Sequence, residues 1–515
     1  MNSPSPSKFF GKAWLYCTVF LTGAAVMVIE LLGTRLIAPF YGASLYVWTS
    51  LIAVTLIALA LGYYFGGILA DRARSGLSTI IAISGLLTLV IPWLTEPVLL
   101  ATDPLGLRLG SFVSTLILFS PSLIMLGMIG PFAVKLATST LANVGASTGS
   151  IYAISTVGSV IGTLFLGFYL FPLVGSREIF IGLGVALLML ALIVALIERH
   201  FFHATRTLAS TMVLIVISAG LYPQIANSGR VQNDDTFTTR FERESLYGWV
   251  RVIDKPKENI RLLTVDASTI GAASISGSEN LLSYQKIVAH LPALASSLKR
   301  ALLIGQGAGH MAMTLKHHGV VTDTLEIDPA VAEAANTFFN FVPNGRTIIG
   351  DARYEIRQLA EKYDLIILDV FTGGTEPTHL LTVEALQQLR NLMAPQGMLA
   401  LNFVSFLDNG KNPALASVAQ TIAQVFPYQQ VFISTPGENF NDFIFVASDH
   451  QIDLDSSHLP VAHTQWLKQR HISVDATQGF VLTDNLSQLE RLQTRKSEHY
   501  RQLIVDMVGA NHFIR

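Results

Sequence analysis

The sequence predicts two unlike parts: an α-helical polytopic membrane domain, then an α/β doubly wound domain with a small β region at its start. Three observations predict this. The 515 residues are 51% hydrophobic and only 14% charged, too apolar for one water-soluble globule. The apolar excess lies before about residue 225, in repeated runs each long enough to cross a hydrocarbon layer of ~30 Å. Finally, residues 301–328 read ALLIGQGAGHMAMTLKHHGVVTDTLEID: an apolar run, a glycine-rich turn opening a helix, then a second apolar run ending in an acid.

In the first part, residues 1–228, about seven spans are expected, near 13–33, 46–70, 78–100, 110–130, 149–172, 177–197 and 207–223. The last is short and carries Ser and Thr. The polar start, MNSPSPSKFFGK, is followed by no small-residue cleavage site, so the first run reads as a retained span. With the N-terminus inside, Lys8, Lys12, Arg72, Arg74, Lys135, Arg199 and Arg206 fall on the cytoplasmic side. Only Arg35, Arg108 and Arg177 fall outside. Glu30 and Arg35 at the end of the first span read as a structural ion pair, or as Arg35 snorkelling to the headgroups, or with Glu30 helping to hold a cationic solute in a cavity. Gly62, Gly66 and Gly67 (GYYFGG) mark close helix packing, and Asp71-Arg72 read as topology markers.

After residue 230 the chain has the composition of an ordinary soluble protein. Residues 229–282 alternate in short runs (GWVRVID, IRLLTVDAS), which predicts a small antiparallel β region. Residues 283–450 open with a helix, SYQKIVAHLPAL. Strands are then expected at 301–304, 323–327, 347–349, 364–369, 397–403 and 443–447, with helices between several of them. That alternation predicts a doubly wound parallel sheet, whose ligand lies beyond the carboxyl ends of its strands. Residues 451–515 read as a C-terminal extension with a terminal helix.

The candidate site follows from those strand ends. In Gly305-Gln306-Gly307-Ala308-Gly309, the glycines let backbone N–H groups approach an adenosine-containing ligand, and Glu326 at the next strand tip holds its ribose hydroxyls. Asp351 follows the third strand, where it could accept the adenine amino group, and Asp369 ends the fourth. Any one of these could be a helix N-cap. Together they make an acidic mouth that would attract a sulfonium. The formal net charge of −2 gives no reason to propose a nucleic-acid partner. The single cysteine, Cys17, excludes an intrachain disulfide or thiolate cluster. No metal is expected: His317-His318 read as a solvated helix end.

These pieces resemble the spermidine synthase-like (polyamine aminopropyltransferase) family, in its membrane-fused branch. The resemblance rests on the Glu30–Arg35–Pro39–Gly42–Trp48 run and GYYFGGILADR in the first part. In the second it rests on SLYGWVRV, LTVDASTIGA, SYQKIVAHLP, LIGQGAG, LEIDP, GDAR, YDLIILDVF, PTHLLTVEAL and LTDN. It implies a Rossmann-like transferase that moves an aminopropyl group from decarboxylated S-adenosylmethionine to a diamine such as putrescine, releasing methylthioadenosine. By position it implies Glu326 on the ribose, Asp351 on the adenine, Asp369 as base, and Tyr284 and Gln285 lining the aminopropyl and diamine region.

Departures keep the reaction open. Ala308 stands where family members carry an Asp, Lys286 where a Glu usually follows Tyr-Gln, and no second acid follows Asp369 in Asp369-Val370-Phe371-Thr372-Gly373-Gly374. Fewer acids weaken a diamine site, and Ala308 removes a carboxylate that would repel intact S-adenosylmethionine. Methyl transfer, or a related transfer from intact S-adenosylmethionine, is therefore one alternative. A polyamine transporter or sensor with a non-catalytic soluble domain is another. His379 is a second candidate base, or a histidine making a local hydrogen bond at a helix start. His290 and His310 are weaker candidates, and Asp484 of LTDN either folds back to the site mouth or caps a helix beginning near Ser487, with the cap preferred. The partners expected are an amine substrate and membrane lipid; self-association into a homo-oligomer is compatible with the sequence. The expected location is the plasma (inner) membrane, with the soluble domain on the cytoplasmic side where adenosyl cofactors are made. Seven spans from an inside start would instead put it outside; either the 207–223 segment lies in the interface, or a further span is present, or the domain is external, and the cofactor chemistry favours the cytoplasmic side.

Overall fold

A computed structural model describes residues 6–42, 44–72, 76–138, 143–228, 233, 236–294, 298–371, 374–455 and 459–514. Arg74, Thr372 and Gly373, used above, lie outside them. The chain divides into two compact units, Met1–Val231 with Gly509–Arg515, and Gln232–Val508.

The first unit is built from α1 (Pro6–Tyr41), α2 (Leu45–Arg72), α3 (Leu77–Thr102), α4 (Gly106–Ala137), α5 (Val144–Phe165), α6 (Ser176–Phe202) and α7 (Thr205–Asn227). Among the described residues, six continuous helical stretches are long and apolar enough to cross a membrane. The longest, Leu77–Ala137, covers 61 residues and consists of α3 and α4 joined by a single 3-10 turn, Asp103–Leu105. These two helices fold back on each other: the Thr102 carbonyl lies against Gly110, and Ser84 Oγ meets Ser122 Oγ at 3.0 Å.

Glycine decides where α2 and α4 touch. A Cβ on Gly62 would stand 2.8 Å from the Gly127 Cα, and one on Gly66 2.6 Å from the Met128 Cα, so these two make the expected close contact; Gly67, expected with them, faces open space. Buried charges tie helix ends. Glu198 near the end of α6 accepts from the backbone N–H groups of Gly76 and Leu77 at 2.9 and 3.0 Å, which holds the start of α3. Arg177, at the start of α6, donates to the Ile225 and Ala226 carbonyls at the end of α7. Lys135 and Asp71 pair at 3.1 Å and place the ends of α4 and α2 on one face. Arg35 lies over the Phe171 ring, 5.1 Å from its centroid.

The second unit opens with β1 (Thr238–Glu244), β2 (Trp249–Lys255), β3 (Ile260–Val265) and β4 (Ser268–Ser274), a four-stranded antiparallel meander in that order. Then come α8 (Gln285–His290), β5 (Arg300–Ile304), α9 (His310–His317), β6 (Val321–Glu326), α10 (Pro329–Phe338), β7 (Thr347–Ile349), α11 (Ala352–Glu355), β8 (Tyr363–Leu368), α12 (Val383–Leu392), β9 (Met393–Phe406) and α13 (Pro413–Val425). The chain ends with β10 (Tyr428–Ile433), β11 (Phe440–Ser448), α14 (Val461–Lys468), β12 (His471–Ile472), α15 (Leu489–Leu492) and α16 (Thr494–Val508).

The large sheet runs β12-β10-β11-β9-β8-β5-β6-β7. Pairing is parallel from β9 to β7, as the alternating strands and helices predict. The sheet is mixed, however: β11, expected to be parallel, runs antiparallel to β9, and β10 and β12 continue antiparallel beyond it. Six residues, 434–439, join β10 to β11, too few for the helical crossover that a parallel pair needs. Side chains of β5 alternate between two cores, Leu302 and Ile304 on one face and Ala301 and Leu303 on the other. Both faces are therefore covered. The meander packs through Val250, Val252 and Leu263 onto Ala330, Val331 and Ala334 of α10.

Candidate active site

At the carboxyl ends of β5, β6 and β8 the second unit holds a cavity of about 600 Å³. The glycine loop forms part of its floor. Gly305, Gly307 and Gly309 have φ of 87°, 52° and 80°, conformations that favour glycine. At Gly305 space demands it as well, because a Cβ would fall 2.0 Å from the Asp369 carbonyl oxygen. At Gly307 the carbonyl of Ile270, in β4, also comes close to the loop, 2.7 Å from where a Cβ would be.

Glu326, Asp351, Asp369, Tyr284 and His379 all line this one cavity, with Gly305 and Gly307. Glu326, 7% exposed, ends β6. It accepts from the N–H groups of Gln306 (3.1 Å), Gly307 (3.4 Å) and Asp328 (3.0 Å). Burial pushes its carboxyl up to about 7, against the lowering by those N–H groups. Asp351 is the helix N-cap that its position allowed. Its Oδ1 accepts from Tyr354 N–H as the N-cap of α11, and it stands in the cavity wall.

Asp369 sits just past β8. Its Oδ2 accepts from the Tyr284 hydroxyl at 2.8 Å and its Oδ1 from Asn402 Nδ2 at 2.8 Å. Burial raises its carboxyl above the ordinary range, opposed by those two bonds and assisted by nearby Glu376. The same burial, with Asp369 beside it, holds the Tyr284 hydroxyl well above its usual pKa. Gln285 donates Nε2 to Tyr284 Oη at 3.2 Å. It therefore supports Tyr284 from behind, outside the lining. Gln306 turns inward: its Oε1 accepts from Thr324 Oγ1. Gly309 starts α9 against the Phe341 ring. His379 is exposed at the rim, in the 3-10 turn Thr378–Leu380.

Some expected residues lie elsewhere. His310 is buried edge-on to Phe339, and His290 packs against His463 and Trp466. The helix-cap reading of Asp484 is overturned. Its carboxylate pairs with Arg353 and accepts from Thr382 Oγ1, while Arg353 also donates to the His379 carbonyl. Asp484 thus straps the rim of the cavity to α11 and to the start of α12. The reason is the long chain return that brings residue 484 beside Arg353. Ala308 is 3% exposed, and a Cβ on Gly271 would lie 2.6 Å from its methyl; β4 lies directly on it.

Sequence reasoning missed Asn402, Asp442 and Tyr500, all in the cavity wall. Asp442 lies on β11 opposite Val404 of β9. Burial and nearby Asp369 push its carboxyl up to about 6, with Ser434's hydroxyl acting the other way. The signal available was a carboxylate inside the apolar run FNDFIFVAS. Tyr500, Ile504 and Met507 bring α16 into the wall. That helix is fixed by Lys496, which pairs with Glu376 with both side chains 2% exposed. Glu376 also accepts from Val404 N–H and from Gln493 Nε2. Among the described residues no cluster of three or more His, Cys, Asp or Glu could hold a metal ion.

Residues 281–456 match the family described as Spermine/spermidine synthase domain. The chain is 30% identical over 224 residues to an N-terminal histidine N-methyltransferase of Emericella nidulans, covering 39% of each. It is 38% identical over 114 residues to a polyamine aminopropyltransferase of Vibrio vulnificus, covering 21% of this chain and 38% of the relative. Over 281 residues it is 29% identical to polyamine aminopropyltransferase 2 of Streptomyces coelicolor, covering 50% and 49%. The chain thus spans about half the length, or less, of these relatives. Among solved structures, a probable spermidine synthase of Corynebacterium glutamicum aligns with a TM-score of 0.42 at 17% identity, over 49% of this chain and 98% of its own.

Proposed function

Proceeding from a chain that carries a spermine/spermidine synthase domain behind a set of apolar helices, we propose that this protein is a membrane-bound polyamine aminopropyltransferase. It would move the aminopropyl group of decarboxylated S-adenosylmethionine to a diamine such as putrescine. One observation carries the reading: the Tyr284–Asp369–Asn402 hydrogen-bonded group shares a cavity with Glu326 and Asp351. Glu326 and Asp351 suit the ribose and the adenine. The Gln306 and Gly307 N–H groups of the glycine loop hold the Glu326 carboxylate in place, and the acids attract the sulfonium. An incoming ammonium must lose a proton before it can attack, and Asp369, its carboxyl already raised, is placed to favour that loss. The amine lone pair forms the new C–N bond at the carbon next to sulfur. The C–S bond breaks with its electron pair going to sulfur, and neutral methylthioadenosine leaves. Holding both reactants in one cavity supplies much of the rate.

A second reading, methyl transfer from intact S-adenosylmethionine, is favoured by Ala308. That position is packed under β4 and offers no carboxylate to repel a carboxylated donor. The likeness to an N-terminal histidine N-methyltransferase points the same way. The test is to incubate the purified full chain with putrescine and either donor, following methylthioadenosine and S-adenosylhomocysteine. Methylthioadenosine formed with putrescine consumed supports the first reading, and S-adenosylhomocysteine supports the second. Saturable nucleoside binding without turnover would leave a sensor or transporter.

The proposed location is the plasma membrane with the second unit in the cytoplasm, where adenosyl donors are made. The basic loops weigh the other way. The end of α7 shares a face with Arg177, opposite the face that carries Arg199 and Arg206 between α6 and α7. A single cysteine at exposed Lys257 in a Cys17→Ser background decides it. Protection from a membrane-impermeant maleimide in intact cells is expected, and labelling would reverse the assignment.

A further inference from the structure

One end of the cavity has more hydrogen-bond acceptors than donors. Asn402 and Gln285 each donate an amide N–H, to Asp369 and to Tyr284. In the cavity wall the carbonyl oxygen of Asn402, Oδ1, is buried without a partner; Gln285 Oε1 is also buried without one, but behind Tyr284 and outside the lining. Asp442 adds a carboxylate to the same end. In the register of β9 and β11 it faces Val404, two residues from Asn402, so the three side chains project from one side of the sheet. All three line the cavity. The hydroxyl of Ser434 is 3.4 Å from Asp442 Oδ2, a long contact. Buried acceptors without donors are costly, and an ammonium, with donors and no acceptor, is the group that answers them.

Resting on the reading that the acceptor is an amine, we propose that Asp442 is a second acceptor-binding carboxylate, which with Asp369 grips the attacking nitrogen as an ammonium and takes the proton it releases. The R–NH₃⁺ group gives one proton to the Asp442 carboxylate. The resulting R–NH₂ attacks the carbon on sulfur, the C–S electron pair goes to sulfur, and the product nitrogen keeps the single positive charge. Asp442 meets Asp369, Glu376, Lys496, Tyr284 and Tyr500 electrostatically. Its carboxyl, held at about 6, is ionised at neutral pH yet basic enough to receive a proton. A strand on the antiparallel side of the sheet would thus supply a charge that the glycine loop, with Ala308, does not.

The experiment is calorimetric titration of putrescine into purified full-length protein saturated with methylthioadenosine. For Asp442→Asn, putrescine affinity should fall about tenfold or more, while methylthioadenosine affinity stays within about twofold as the control for folding. Asp442→Glu should recover part of the loss. Unchanged putrescine affinity in Asp442→Asn would overturn the proposal. If the unmodified protein binds methylthioadenosine but no putrescine, both the proposal and the diamine reading fall while the adenosyl site stands. Failure to bind methylthioadenosine would instead remove the adenosyl site itself.

Discussion

Glu326 offers a direct test of the proposed adenosyl site. Its carboxyl, held at about 7 by burial, is divided between ionised and neutral forms near neutrality, and the ionised form is the better acceptor for two ribose hydroxyls. With only that form binding, the competent fraction rises from about one in eleven at pH 6 to about ten in eleven at pH 8. The dissociation constant for methylthioadenosine should therefore fall about tenfold across that range, a gain of about 1.4 kcal/mol. Methylthioadenosine suits the test because it carries no ammonium, so Asp369 and Asp442 have no charge on it to read. Calorimetry at pH 6, 7 and 8 gives the constants directly. In Glu326→Gln the dependence should vanish, with affinity at pH 8 reduced. A flat profile in the unmodified protein, or a tenfold dependence that survives in Glu326→Gln, would refute the assignment of Glu326 to the ribose.

Two further outcomes are expected. Asp369→Asn should lower turnover by about 10²–10⁴-fold, the range for loss of a group that assists proton transfer, while methylthioadenosine affinity changes little; an unchanged rate would remove Asp369 from the mechanism. Lys496→Leu should leave Glu376 buried with only the Val404 N–H and Gln493 as donors, destabilising the second unit by about 3–5 kcal/mol. Thermal unfolding should show a clear loss, partly recovered on adding Glu376→Gln. Equal melting temperatures for all three proteins would contradict the role given to that pair.

The parts of the site that could be read from sequence were those fixed by local backbone chemistry. Gly305 and Gly307 are demanded by positive φ and close approach, and Glu326 and Asp369 stand where parallel strands stop. Asp442 was hidden because nothing near residue 442 reveals its neighbour. Only the antiparallel register with β9 puts it beside Asn402. Asp484 misled for a similar reason: its short-range pattern resembles a cap, and its partner Arg353 is 131 positions away. Tyr500 and Lys496 lie on a helix whose sequence, TRKSEHYRQLIVDMV, looks like an ordinary amphipathic terminus. The burial of that lysine is a tertiary fact. The antiparallel turn of the sheet was not read, because β10 was not among the expected strands and the short connection before β11 exists only once β10 is in place.

The cavity's walls do not coincide with the stretch that matches the family. Leu262, Val265 and Ile270 reach it from one side of residues 281–456, and Tyr500, Ile504 and Met507 from the other. A gene fragment trimmed to the match would keep the floor with its acids and glycines but lose two sides. Water would then reach Glu326, and the desolvation that tunes it would go. Expression boundaries for a soluble catalytic piece should therefore start before β1 and run past α16.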